Sequence, residues 1–291
     1  MTVMIFAVRF TLVIGIAAQC SGNVHQWTAG RRLVPLLRSG GDMMPEIAVL
    51  VKRVPDTNAK IAISGDRVDL SAVKWVMSPY DEFALEAAMM HKESNGGTVT
   101  AITLGAPDCD KVLKDAKAIG VDRIVRVWDD SWSDLDSNQV QSVLVSALKE
   151  LSIEVVYCGK SAADTGASST GPGVAERMGW ASVSNIIGIE FEDSGLEVLI
   201  PRNTGNARTG VSLPAVISCD KGFCKPRKPN VKGIMMAKRA QVEVLGADIP
   251  TASINIVSHT SPPQKAPGQK FEGAGNVPTV VAALRNDANV I

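Results

Sequence analysis

Ile47-Ala48-Val49-Leu50-Val51-Lys52-Arg53-Val54 is the stretch that decides the fold. A strand with one wet face alternates apolar and polar residues, whereas an unbroken apolar run marks a strand covered on both faces, as in a parallel sheet. The segments downstream agree. Ser78-Pro79 opens a helix with proline in the first turn, Asp81 and Glu82 near its positive end, and Phe83, Leu85, Ala88 and Met89 at apolar positions. Asn95-Gly96-Gly97 ends it. Residues 98–104, 123–127 and 153–158 read as further strands, and residues 107–119 and 137–151 as the helices between them. Strands separated by single helices imply right-handed crossovers and a doubly wound, Rossmann-like parallel α/β sheet. Beyond Trp180 the pattern changes. Residues 182–191, 196–200 and 211–219 read as strands without helices between them, followed by a Lys/Pro-rich loop at 221–232 and a short basic helix at 234–239. The tail is rich in Pro and Gly and reads as either unstructured or an arm laid on a partner.

Composition narrows the function classes. Across 291 residues, 30 Lys and Arg balance 30 Asp and Glu, which argues against a nucleic-acid protein. Cys20, Cys109, Cys158, Cys219 and Cys224 are odd in number and have no C-x-x-C spacing, which fits a reduced protein. His25, His91 and His259 lie far apart, so a metal centre is not expected. Residues 1–43 stand apart: Arg9, Arg31, Arg32 and Arg38 face a single acid, Asp42. The rest of the chain is therefore mildly acidic. The apolar run from Val3 to Ala18 carries Arg9 near its middle and is too short for a span of about 20 residues. The working chain is expected to begin at Met43 or Met44, with an organelle transit peptide or an export signal as alternatives.

Ligands of open parallel sheets bind beyond the carboxyl ends of the strands. Three such ends carry small or polar turns: Lys52-Arg53-Val54-Pro55-Asp56, Thr103-Leu104-Gly105-Ala106-Pro107, and Gly159-Lys160-Ser161-Ala162-Ala163-Asp164-Thr165-Gly166-Ala167-Ser168-Ser169-Thr170-Gly171-Pro172-Gly173. The last leaves a buried strand and runs into a helix. Its small residues let the backbone approach a phosphate, and its hydroxyls and helix-start amides can donate to one. No G-x-x-x-x-G-K-[ST] is present and no G-x-G-x-x-G follows the first strand, which argues against P-loop and NAD-type enzymes. No nucleophile elbow appears, and Asp129-Asp130 between Trp128 and Trp132 reads as a solvated turn. The pattern is that of a nucleotide-binding scaffold without acid/base machinery.

Several segments, taken in order, carry a resemblance. They are Ile47 through Asp56 with Ala59-Lys60-Ile61, Met77-Ser78-Pro79-Tyr80-Asp81-Glu82 with Ala84-Leu85-Glu86-Ala87, Ala118-Ile119-Gly120-Val121-Asp122-Arg123, the 159–173 loop, Leu213-Pro214-Ala215-Val216, and Lys225-Pro226-Arg227 through Met235 with Ala237-Lys238. From about Ile47 to Leu245 this set resembles the beta subunit of the electron transfer flavoprotein.

The resemblance implies an adenine nucleotide alpha-hydrolase-like fold over 44–245, an N-terminal extension over 1–43, and an arm over 246–291 that contacts an alpha subunit. It implies a heterodimer in which the alpha subunit holds most of a redox-active FAD, flavin dehydrogenases as electron donors, and AMP, or a second FAD, in the beta subunit. Such a subunit is an electron carrier without catalytic side chains, expected in the cytoplasm or in the mitochondrial matrix of a eukaryote. The implied nucleotide pocket comprises Leu50, Ser78, Pro79, Tyr80, Asp81, Leu104, Gly105 and the loop from Gly159 to Thr170. The implied docking segment for dehydrogenases is 219–239, with Val231 as apolar anchor among Lys228, Lys232 and Lys238.

Departures from the family pattern bear on redox tuning and partner choice. Asp164, Gly171, Pro172, Ala175 and Glu176 keep the spacing of the low-potential, bifurcating branch, but Thr165, Gly166, Ala167 and Ser169 replace its intervening residues. Lys225 stands where the family has Glu, and Arg202-Asn203-Thr204-Gly205-Asn206-Ala207-Arg208 replaces an acidic, Gly-rich stretch. The alternative from another class is an adenine-nucleotide sensor module of the universal-stress type, self-associating and without a redox role.

Overall fold

A computed structural model describes residues 44–192, 195–263 and 268–291. The expectations for residues 1–43 lie outside the described residues. The remainder falls into two compact units, one of residues up to Pro55 with Trp75–Ser253, the other of Asp56–Lys74 with Ile254–Ile291.

The larger unit is built on seven parallel strands. In chain order its strands and helices are β1 (Glu46–Leu50), β2 (Arg53–Pro55), β5 (Trp75–Met77), α1 (Pro79–Asn95), β6 (Thr98–Leu104), α2 (Asp110–Ile119), β7 (Arg123–Val127), α3 (Ser137–Glu150), β8 (Val155–Gly159), α4 (Thr170–Met178), β9 (Ala181–Ile186), β10 (Gly188–Glu192), β11 (Gly195–Arg202), β12 (Gly205–Ser212), β13 (Ala215–Cys219), α5 (Val231–Arg239) and β14 (Glu243–Leu245). The sheet order is β14-β7-β6-β1-β8-β13-β9. From β1 the chain winds outward through β6 and β7, then returns to β1's other side with β8. The switch point lies between β1 and β8.

The unbroken apolar run explains β1's central place. Ile47 and Val49 pack on one face of the sheet with Ala84, Leu85 and Ala88 of α1 and Val112, Leu113 and Ala116 of α2. Ala48 and Leu50 pack on the other with Val143, Leu144, Ala147 and Leu148 of α3 and Val174 and Ala175 of α4. Successive strand residues point to opposite faces, so one strand serves two cores only if nearly all its residues are apolar. The histidine buried here is paired: His91 Nδ1 lies 3.0 Å from the Tyr157 hydroxyl, and its ring stacks on Phe191. Burial pushes His91 down to about 4, keeping it neutral.

Several expectations need correction. The run 182–191 is two strands in different sheets, because Asn185 adopts a left-handed conformation (φ 62°) and turns the chain out of the central sheet. The run 211–219 is likewise divided: Val211 belongs to β12 of the antiparallel β10-β11-β12 sheet, and β13 begins after Pro214, which has no N–H for a ladder. The basic helix begins at Val231 instead of Ile234, because Asn230 caps it by accepting from Gly233 N–H at 2.7 Å. Arg208, at the end of the 202–208 stretch, pairs across the antiparallel sheet with Glu190 and Glu197.

The smaller unit holds the hairpin β3 (Ala62–Ser64) and β4 (Arg67–Asp69) and the helix α6 (Val277–Asn286). The His259 N–H donates to the Asp66 carbonyl at 3.0 Å. Val277, Val281 and Leu284 recur at helical spacing on α6 and are exposed.

The basic loop ahead of α5 is tied to α1 by Arg227. Its guanidinium and backbone N–H donate to Glu86, which is 7% exposed, and the guanidinium also reaches Glu93 at 2.5 Å. Arg227→Ala strands the Glu86 carboxylate. After allowance for the solvent that reaches Arg227, it is expected to cost about 1–3 kcal/mol in urea unfolding. An unchanged midpoint would show that the clamp contributes nothing.

Candidate nucleotide site

Beyond the carboxyl ends of β1, β6 and β8 lies a cavity of about 230 Å³. Its position follows from the topology, since the chain leaves β1 for α1 on one face of the sheet and leaves β8 for α4 on the other. Leu50, Val51, Ile102, Leu104, Leu135, Val140 and Leu144 form an apolar wall. Ser161, Thr165, Ser168, Ser169 and Thr170 bring hydroxyls from the opposite, loop side.

Asp81 sits at the base of this cavity. Its carboxylate accepts from Lys52 N–H at 2.7 Å and Gly159 N–H at 3.1 Å, so it joins the chain leaving β1 to the end of β8. Glycine is required at 159, because a Cβ there would lie 2.3 Å from Asp81 Oδ1 and 2.9 Å from the Tyr80 carbonyl carbon. Gly171 is constrained in the same way by Cys158 Sγ, 2.8 Å from its would-be Cβ. Burial pushes the Cys158 thiol up to about 12, so it packs as a small apolar group.

Two lysines flank the cavity, each held by an acid. Lys52 Nζ pairs with Asp164 at 2.7 Å, and Lys160 Nζ with Asp220 at 2.9 Å while lying 4.9 Å over the Tyr80 ring. The bond to Asp220 raises the Lys160 pKa. Thr170, Gly171 and Pro172 line the cavity at the start of α4, and the first amides of a helix have no intrahelical acceptor. Apolar wall, hydroxyl-bearing loop and helix-start donors together fit a ligand with a flat apolar group at one end and an anion at the other.

Of the residues named from sequence, Leu50, Asp81, Leu104, Gly159, Lys160, Ser161, Ala162, Thr165, Ala167, Ser168, Ser169 and Thr170 line the cavity, whereas Ser78, Pro79, Tyr80, Gly105, Ala163, Asp164 and Gly166 do not. Ser78 is fully buried, and among the described residues its hydroxyl has no partner. Lys52, Gly171 and Pro172, which belong to the strand-end turns singled out from sequence, also line it, whereas Val51, Ile102, Leu135, Ser137, Val140, Leu144, Cys158 and Ser218 were not foreseen. Periodicity carried part of that signal: Ile102 shares a strand face with Leu104, and Ser137, Val140 and Leu144 fall at helical spacing. Lys228, Val231, Lys232 and Lys238 all lie exposed on α5 or just before it, Val231 at 76%.

Burial pushes Asp81 up to about 7 and Asp164's charge adds to this, while the two amides and Lys52 oppose it. The folded state thus keeps a proton that the unfolded chain releases near pH 4, so this group's contribution to stability falls as pH rises from about 4 through 7. Asp81→Asn lacks that slope. Urea midpoints measured from about pH 5 to 8 are expected to shift in the variant's favour as pH rises. Parallel curves would contradict the assignment.

Comparison with known proteins bears on the family. A family model for the electron transfer flavoprotein domain matches residues 67–250. The chain is 29% identical over 253 residues to the electron transfer flavoprotein subunit beta of Bacillus subtilis, covering 84% of this chain and 98% of that protein. It is 33% identical over 230 residues to that of Syntrophomonas wolfei, covering 78% and 90%, and 32% identical over 241 residues to the human one, covering 79% and 94%. The universal-stress alternative is not favoured, since the match extends across most of the chain and into the segments that follow the nucleotide loop. Sheet, cavity and sequence agreement converge: the chain belongs to the electron transfer flavoprotein family, as a beta subunit.

Proposed function

We propose that this subunit binds an adenine mononucleotide, AMP, in the cavity beneath the 159–173 loop and pairs with an alpha subunit holding the FAD through which electrons pass from flavin dehydrogenases to an acceptor. The observation that carries the proposal is the cavity at the β1/β8 switch point, with an apolar wall facing a loop of hydroxyls and helix-start amides. The cavity measures about 230 Å³, and of the two ligands that the family resemblance implies, the mononucleotide is the smaller.

In this reading Leu50, Ile102, Leu104 and Val140 hold the purine. Ser168, Ser169 and Thr170, with the backbone of Thr170 and Gly171, hold the phosphate. Lys52 and Lys160, paired with Asp164 and Asp220, border the site. Ser78, Pro79, Tyr80 and Gly105 flank the lining residues in the chain, and Ala163, Asp164 and Gly166 are exposed positions of the loop that covers the site. FAD supplies the electron chemistry when bound, and the protein supplies position and surroundings, so the subunit is a carrier without catalytic side chains of its own. Val231 with Lys228, Lys232 and Lys238 offers dehydrogenases an exposed apolar anchor ringed by positive charge. The arm at 246–291 is assigned to the alpha subunit. Its exposed Ile254, Ile256 and Val257 and the apolar stripe of α6 support this. The compartment that goes with this role is the cytoplasm, or the mitochondrial matrix in a eukaryote.

Co-expression with an alpha partner, followed by denaturation and chromatography of the released nucleotides, tests the proposal. Equimolar AMP and FAD are expected, with a flavin absorption spectrum before release. Two FAD and no AMP would overturn the mononucleotide assignment. A chain that takes up neither nucleotide with any alpha partner would overturn the whole reading.

A further inference from the structure

Gln141 and Arg177 belong to no motif noted in the sequence and do not line the cavity, yet they hold the junction where the nucleotide loop becomes α4. Gln141 projects from α3 and is 7% exposed. Its Nε2 donates to the Ser169 carbonyl at 3.0 Å, and its Oε1 accepts from Arg177 Nη1 at 2.6 Å. Arg177 is fixed in turn by Nη1 donating to the Gly173 carbonyl at 3.2 Å and Nη2 to Asn138 Oδ1 at 2.6 Å. The amide's orientation is forced by chemistry. A guanidinium only donates and a carbonyl only accepts, so the Gln141 oxygen must face Arg177 and its nitrogen must face Ser169.

The space for this amide comes from Gly173. A Cβ there would lie 2.2 Å from Gln141 Oε1 and 2.5 Å from its Nε2. The Ser169 carbonyl receives a second bond, from Gly173 N–H at 2.9 Å. In a planar trans peptide the carbonyl and the following N–H point in opposite directions. Holding the Ser169 carbonyl with two donors therefore leaves the Thr170 N–H directed out of the helix start, where Ser169, Thr170 and Gly171 border the cavity. Pro172 has no N–H, so Thr170 and Gly171 are the donors this helix end can offer.

We propose that Gln141, oriented by Arg177 and admitted by Gly173, is a positioning residue that aims the Thr170 amide at the phosphate of the bound mononucleotide. This inference rests on the nucleotide reading above and assigns the device that sets affinity at that site. A free glutamine amide samples many rotamers, whereas one pinned at both ends spends none of the binding energy on ordering the loop.

Two variants separate positioning from folding. Gln141→Met keeps the volume and removes both polar contacts. Gly173→Ala displaces the amide by its methyl group while raising helix propensity, which offsets part of the cost of the displaced contacts. Each is prepared as the complex with the alpha subunit, stripped of nucleotide and titrated with AMP by calorimetry, and amide hydrogen exchange at 168–173 is followed without nucleotide. Both variants are expected to bind roughly three- to tenfold more weakly, the net worth of one hydrogen bond. Exchange of the residue-173 amide, which is bonded to the Ser169 carbonyl, should be faster in both variants, and the complex with Gly173→Ala should still unfold within a few degrees of wild type. Wild-type affinity in both variants would overturn the inference and leave the nucleotide reading standing. If the wild-type complex binds no AMP, the nucleotide reading falls, and the exchange data still decide the positioning role: faster exchange in Gly173→Ala supports it, and unchanged exchange overturns it.

Discussion

The carboxylate of Asp81, sealed between the ends of β1 and β8, is the contact on which the site depends. These two strands pair up to Leu50 and Cys158, after which the chain departs to opposite faces of the sheet. The amides of Lys52 and Gly159 would be left without partners at that parting, and Asp81 takes both. Its place at the first turn of α1 fixes that helix against the strand ends. It also excludes any side chain from position 159, which opens the way for the loop beyond. The cost is a buried carboxyl that keeps its proton nearly to neutrality.

From this base the rest of the site follows by division of labour. The apolar wall is core surface that the switch point leaves uncovered, and the polar side is a loop whose small residues leave binding to backbone and hydroxyl groups. Helix α5, proposed above to dock dehydrogenases, is held by contacts of its own: Arg227 clamps the preceding loop to Glu86 and Glu93, and Gly233 lies so close to α2 that a Cβ would meet the Ala118 carbonyl oxygen at 2.3 Å. Exposed apolar residues can thus be presented in a fixed geometry, which lowers the ordering cost of a transient contact. Few aromatic and histidine side chains are needed in such a scaffold.

Sequence reasoning reached the parallel sheet because Ile47–Val51 cannot be a one-faced strand, and it reached the loop because Gly159–Gly173 is small and polar directly after a buried run. It failed where conformation or tertiary contact decided. Nothing in composition announces that Asn185 would take a left-handed conformation and send 188–192 into a separate sheet. β3, β4 and β14 have three residues each, too few to show a period. Gln141 and Arg177 read as ordinary helix-surface residues, since their partners lie on other elements. Asp81 was legible as a helix-start acid, but its bond to Gly159, 78 residues away, was not.

The central claim is that the cavity over Asp81 receives an adenine mononucleotide. A crystal structure of the complex with its alpha subunit tests it most directly. The account predicts electron density for AMP there, its base against Leu104 and Val140 and its phosphate at the Thr170 and Gly171 amides. An empty cavity with the nucleotide bound elsewhere, or a dinucleotide occupying it, would contradict the account.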